Sequence, residues 1–460
     1  SGNTPNAAAH QDCIPAPVVT SNADSGPDTL RQAIAGVCPG GSITFSGDTS
    51  ITLSSGQLAI NKRLTIDGGS QAVTVSGNNV TRVFDVGASG VVTLSHLSIV
   101  SGTVSSSGGG IHNAGALTVQ DCVLSDNVSA ENGGGIFNID GVLTVQNSVL
   151  SGNQAGAGGG GIGNRGALTL QDSTLSGNSA SYGGGIFNAD GGQMMVYNST
   201  LSGNAATSDS PYYGGGAIDQ WVSSGSVSGA IINSTLVSNT AVSAHTSGIW
   251  VEAGELTLHN SIVAHNNGAN NFYQTGEGVF TSQGYNLSNA WNGLTTQATD
   301  LTADPLLGPL ADNGGETRTH ALLPGSPAID AGDPASCTDT DQRGVTRSQV
   351  ESCDIGAFES QGFTLTYSSG SGQSTSPGTA FANPLALTVS SSAGEPVNGG
   401  QIIFTGPASG AALSSSPLTA TISGGTASQM VTANGIGGSY TVHATTRGSL
   451  ATISHSLTTA

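Results

Sequence analysis

The chain has 460 residues and a formal charge of −20, with nine Lys and Arg against 29 Asp and Glu. That balance disfavours nucleic acid and anionic membrane surfaces as partners. No run of about 18 apolar residues exists, so no transmembrane helix is expected. Charged residues are only 8%, a composition that would suggest disorder if the apolar residues were not so regularly placed.

The polar opening SGNTPN has neither a basic nor an apolar leader region, which in an exported protein would mean a chain already processed. Residues 1–42 are expected to form an N-terminal helical cap. Pro27 and Asp28 start a short amphipathic helix whose Leu30, Ala33 and Ile34 share one face. Such a helix would cover the open end of the first coil, whose unpaired edge would otherwise recruit other strands. From Ile43 to Leu94 short β-type runs follow one another without a clear signature.

Between Gly108 and Tyr182 one pattern is repeated three times: GGGI, Asn two positions on, LTV or LTL, then LS-x-Asn. Its landmarks are Ile111, Asn113 and Asn127, then Ile136, Asn138 and Asn153, then Ile162, Asn164 and Asn178, a period of 24 to 26 residues. Each unit holds three short strands separated by Gly and Asn turns, and none is long enough for a helix. Such a unit cannot bury its apolar face alone and must stack on copies of itself. The expected fold is therefore all-β, a right-handed parallel β-helix of about ten turns and on the order of 50 Å in length. In the middle strand Leu117 and Val119 point inward and Thr118 and Gln120 outward. Asn127, Asn153, Asn178 and Asn204 fall at one corner, where Asn tolerates a left-handed backbone and passes amide hydrogen bonds between coils. Looser units continue through Ile186, Ile218 and Ile249, with an insertion at Ala205 to Tyr213. Residues 267–362 lose the repeat and are expected to form a C-terminal capping segment.

From Phe363 seven short alternating strands in roughly 100 residues read as an immunoglobulin-like sandwich spanning 363–460. The two expected domains are thus 1–362 and 363–460.

Several groups of residues bear on chemistry. The natural cysteine pairing in an exported protein is Cys13 with Cys38 and Cys337 with Cys353. Cys122 then aligns with Ser148, Ser173, Ser199, Ser234 and Ser261 as a small buried residue in a stack. Tyr212, Tyr213, Trp221 and Trp250 cluster around the lengthened turns, either as an exposed platform for sugar rings or a protein, or as packing beneath the turn. Asp330, Asp333, Asp339, Asp341 and Asp354 have the oxygen chemistry of a calcium site, while Arg343 and Arg347 among them fit a salt-bridged cap. His259 and His265, six residues apart across a turn, form a weak metal signal. Asp121, Asp140, Asp172, Asp190 and Asp219 are the carboxylates a glycoside hydrolase could pair, but they sit beside turn glycines or strand ends, where Asp is ordinarily structural. A polysaccharide lyase would need a strong base and cations. Arg165 is the one basic residue between Arg82 and Arg318, and Lys62 is the single lysine.

Ser326-Pro-Ala-Ile-Asp-Ala-Gly-Asp333, Asp341-Gln-Arg-Gly344, Arg347 and Cys353-Asp-Ile-Gly-Ala-Phe-Glu359 resemble the closing motif of the choice-of-anchor Q family of bacterial surface β-helix proteins. The TLRQAI segment resembles that family's opening, and the GGGI and LSGN units are similar to repeats of polymorphic outer-membrane proteins. Gly394-Glu-Pro-Val397 and Gly438-Ser-Tyr-Thr-Val442 are among the stretches resembling bacterial Ig-like repeats. The resemblance implies export and display on a bacterial surface as a scaffold or adhesin. No C-terminal anchoring signal of that family is visible. Partners are then expected to be other copies of the chain, joined end to end into a filament or layer, or a surface glycan or protein. No cofactor is implied other than calcium, and the rival reading is a glycan-active β-helix enzyme.

Overall fold

The computed structural model describes residues 13–209, 214–242, 248–266, 271–347 and 352–460. Up to Thr302 the chain winds as a parallel β-solenoid of about ten turns, in which each strand pairs with its equivalent one coil away. The core follows from the repeat. Ile111, Ile136, Ile162, Ile186, Ile218 and Ile249 stand in register in one ladder. Val119, Val145, Leu170, Val196, Ile231 and Leu258 stand in a second, and Leu124, Leu150, Leu175, Leu201, Leu236 and Val263 in a third. All eighteen are fully buried. Burying a side chain of this kind is worth about 2 kcal/mol, so stacking rather than any single coil holds the rod.

Three features depart from the sequence reading. A further two- to five-residue strand follows the same corner in six coils, from Thr103–Val104 to Thr240–Ala241, and adds a side to the three expected from the sequence. In Ile136–Gln146 and Ile162–Gln171 the first two strands run together as one. The left-handed residue at the corner is not Asn127 or its equivalents but the one before: Asp126, Gly152, Gly177, Gly203, Ser238 and His265 all have φ between 53° and 67°, within the left-handed region.

That shift frees the asparagines for another task. Asn127, Asn153, Asn178, Asn204, Asn239 and Asn266 point inward, and each amide donates to the next Oδ1 at 2.9–3.0 Å. The same Oδ1 accepts the preceding asparagine's backbone N–H. A second amide ladder runs from Asn113 through Asn138, Asn164 and Asn188 to Gln220 at 2.7–3.2 Å. The serines form a third: Ser148, Ser173, Ser199, Ser234 and Ser261 each accept the N–H of the residue one coil earlier. Cys122 begins that column, free and buried, and burial pushes its thiol up to about 12. Buried polar groups are costly unless paired, and here each coil supplies the partner of the last.

At the N-terminal end the helix Leu30–Gly36 lays Leu30, Ala33 and Ile34 on the core, with Thr29 accepting the N–H of Gln32 as its N-cap. Lys62 donates to the carbonyls of Ala35 and Val37 at the helix C-terminus, and Cys13 is bonded to Cys38.

At the other end strands continue through Phe272–Gln274, Val279–Ser282, Leu287–Ser288 and Leu301–Thr302, so the repeat outlasts its sequence signature by some 30 residues. Phe272 stacks on Trp291 there at 5.4 Å. Residues 303–347 and 352–360 then fold back along the outside of the third ladder: Thr174 donates to the carbonyl of Arg318, Thr200 to Gln342 Oε1, and Ser202 pairs with His320. Residues 364–459 form a three-stranded and a five-stranded sheet, mostly antiparallel, whose core is continuous with Ile262, Leu287, Ile329 and Phe358. Among the described residues no helix is long and apolar enough to cross a membrane.

Candidate functional site

In the first ladder the residue after each core isoleucine faces outward. Read down the column in register, this row is Asp85, His112, Phe137, Gly163, Phe187, Asp219, Trp250 and Tyr273. Phe187 stacks 6.4 Å from the half-buried Trp221 and meets Tyr182 edge-on at 4.8 Å. Trp250 lies 4.4 Å from Tyr273 and is only 1% exposed, so it packs beneath its neighbours and offers no ring to solvent. Tyr212 and Tyr213 lie outside the described residues.

Asp219 sits between Phe187 and Trp250, 1% exposed, with Oδ2 accepting the N–H of Gly214 at 3.3 Å. Burial raises its pKa well above the ordinary carboxyl range, the Gly214 N–H works against this, and the nearby Glu252 adds to it. Burial also raises Glu252. The remaining carboxylates weighed for catalysis are turn residues with left-handed backbones: Asp121, Asp140, Asp172 and Asp190. Burial opposes ionisation of Asp190, but hydrogen bonds from Ser223 and Ser224 and the Arg165 guanidinium at 3.5 Å outweigh it and lower its pKa.

At the N-terminal end of the same row Asp85 holds His112 Nδ1 at 2.9 Å and accepts from Gln57, which in turn accepts from Arg82. The His112 hydrogen bond comes first among the causes that lower the pKa of Asp85. Neither this pair nor Phe187, Tyr182 and Glu252 were singled out from sequence. The signal was available: it is the column of residues one place after the repeat isoleucine.

The five aspartates of the closing segment serve separate purposes. Asp341 accepts from Arg343 and from the N–H groups of Val345 and Glu359, with the Arg343 guanidinium 3.5 Å over the Phe358 ring. Asp354 accepts the N–H groups of Asp330 and Ser360, and burial, then Glu359, raise its pKa well above the usual range. Asp333 lies against Ser336 and His259, while Asp339 contributes its carbonyl to Arg347 N–H. Arg347 pairs with Glu359 at 3.3 Å and reaches Asn198 of the solenoid at 3.0 Å. Cys337 is bonded to Cys353 in the same segment. Among the described residues no three His, Cys, Asp or Glu side chains stand together in a group that could hold a metal. Ser336 and Asp333 both approach Nε2 of His259, at 2.5 and 3.3 Å, whereas a nucleophilic relay needs them on opposite ring nitrogens.

No family model, curated protein or solved structure matches this chain. The fold stands on its own geometry: a parallel β-solenoid with a clamped flank.

Proposed function

We propose that this protein is an exported bacterial surface scaffold or adhesin, a non-catalytic rod carrying a helical cap at one end and an Ig-like module at the other. The observation that supports this reading most is the continuous side-chain bonding that joins the coils from Asn113 to Asn266 and the segment clamped against them. Two buried amide ladders tie successive coils, and the Arg343 and Arg347 network binds the closing segment to the solenoid through Asn198 and, through Arg343 and Ser360, to Glu395 of the C-terminal sheets. A body of this kind transmits load and holds terminal surfaces at a fixed separation. Its partners are other copies joined end to end, or a surface glycan or protein. Light scattering and electron microscopy of the full chain, of a chain lacking 363–460 and of one lacking 1–24, each with and without calcium, test this. Assembly or cell-surface binding that disappears with either terminal truncation is expected, and an intact chain that stays monomeric and binds no surface sinks the reading.

One observation favours a second reading, a glycan hydrolase: burial raises the pKa of both Asp219 and the nearby Glu252, next to the aromatic Phe187 in the same row. Release of reducing ends from acidic and neutral glycans, lost in Asp219→Asn, would replace the scaffold reading.

A further inference from the structure

The second ladder carries a surface that none of the preceding roles uses. Its strands from Arg63–Asp67 to Ile162–Gln171 place Thr65, Thr93, Thr118, Thr144 and Thr169 directly above one another at the central outward position. The row resumes at Thr257 and Thr281 after Met195 and Ala230. On one side stand Val91, Ala116, Val142 and Ala167, and on the other Ser95, Gln120, Gln146 and Gln171. From Val91 to Ile232 no outward position of this ladder is charged.

Three physical properties of the row narrow what it fits. The spacing is fixed by backbone pairing at about 4.8 Å along the rod and, between outward neighbours of one strand, about 6.6 Å across it. Threonine is stiff at χ1, so hydroxyl and methyl are held in a repeating order before anything binds. The hydroxyls of these five threonines make no hydrogen bond to the described residues. Thr65 is flanked by Arg63 and Asp67, but from Thr93 to Thr169 the face is a single column of unpaired hydroxyls and methyls between uncharged side chains, and this suits a partner that is itself a lattice of hydrogen-bonding oxygens. Between Thr65 and Thr169 the face has no aromatic ring, the group that stacks on sugars, which argues against a crystalline polysaccharide.

We infer that this face binds ice, its threonine ladder anchoring an ordered water layer in register with the crystal. The inference goes beyond the scaffold reading and does not depend on export or assembly, so the two fail separately. The test uses the full chain: its incorporation into a slowly growing ice hemisphere, and its effect on recrystallisation. Incorporation and slowed recrystallisation are expected. Thr144→Lys, a half-buried position at the centre of the row, should raise the concentration needed at least about tenfold, whereas Val123→Lys on the third ladder should leave it unchanged. Circular dichroism checks that both variants fold. If Thr144→Lys does not, Thr144→Val keeps the shape and removes one hydroxyl, and it should still weaken incorporation. Exclusion of the full chain from ice overturns the proposal, as does equal behaviour of the Thr144 and Val123 variants. Exclusion from ice together with retention on crystalline cellulose would reassign the face to a polysaccharide.

Discussion

The solenoid and the sheets of residues 364–459 bury polar side chains under opposite conditions. Within the repeat, Asn178 accepts from Asn153 and donates to Asn204 and to the carbonyl of Leu150. Each amide of that column meets its own copy one coil away. The C-terminal sheets do not repeat, and there His455 is fully buried beside Tyr367 and Phe404 with both ring nitrogens unpaired. Translational symmetry satisfies hydrogen bonds that an aperiodic core must solve one at a time.

The largest test of this contrast is Ile136→Asp. It places an unpaired charge between Ile111 and Ile162 in a column of fully buried isoleucines, and the solenoid should lose cooperative folding, seen by circular dichroism and denaturant titration. A near-native melting curve would refute the register described above.

Arg347→Ala comes next. It leaves Glu359 buried without its guanidinium and removes the bond to Asn198, a loss of about 3–5 kcal/mol. The damage should be confined to the closing segment, so hydrogen exchange would rise over residues 303–360 while the early coils keep their protection.

Asn178→Ala should cost on the order of 3 kcal/mol, because it strands the Asn153 amide, its N–H and the Leu150 carbonyl together. Asn127→Ala, at the start of the column, strands only Gly102 N–H and the Ile99 carbonyl and should cost less. Equal losses would mean that the ladder does not act as a chain.

The smallest effect concerns pH. Burial depresses the pKa of His455, so the folded C-terminal sheets bind fewer protons there than the unfolded chain. Stability from this residue is present above the unfolded pKa of about 6.5 and falls as pH drops below it. His455→Leu should flatten that part of the pH profile in melting experiments, and an unchanged slope would assign the pH dependence to other groups.

The candidate site was legible only in part. Trp221 and Trp250 were singled out as aromatic residues near long turns, yet composition cannot tell which of two neighbouring rings lies outermost. Register does: Trp250 has Tyr273 beside it in the next coil and is buried, while Trp221 follows Ala189 and remains half-exposed. The acidic closing segment likewise shows its oxygens in sequence, but only the fold gives Asp341 to Arg343 and Asp354 to two backbone N–H groups.

By itself the sequence determined the coil. A 25-residue recurrence of Ile, Leu and Asn leaves a stacked parallel β-solenoid as the arrangement that buries those isoleucines, and it places Thr118 and Gln120 on the outer face by simple alternation. Tertiary structure decided what has no period: that the left-handed turn belongs to the residue before each corner asparagine, that strands persist to Thr302 after the signature fades, and that the segment carrying Arg318 and Gln342 lies along the flank of the rod. The reason is range. A repeat encodes contacts between neighbouring coils, a fixed 24 to 26 residues apart in its most regular part, whereas Thr200 and Gln342 or Asn198 and Arg347 meet across more than 140 positions through complementarity that no local pattern records.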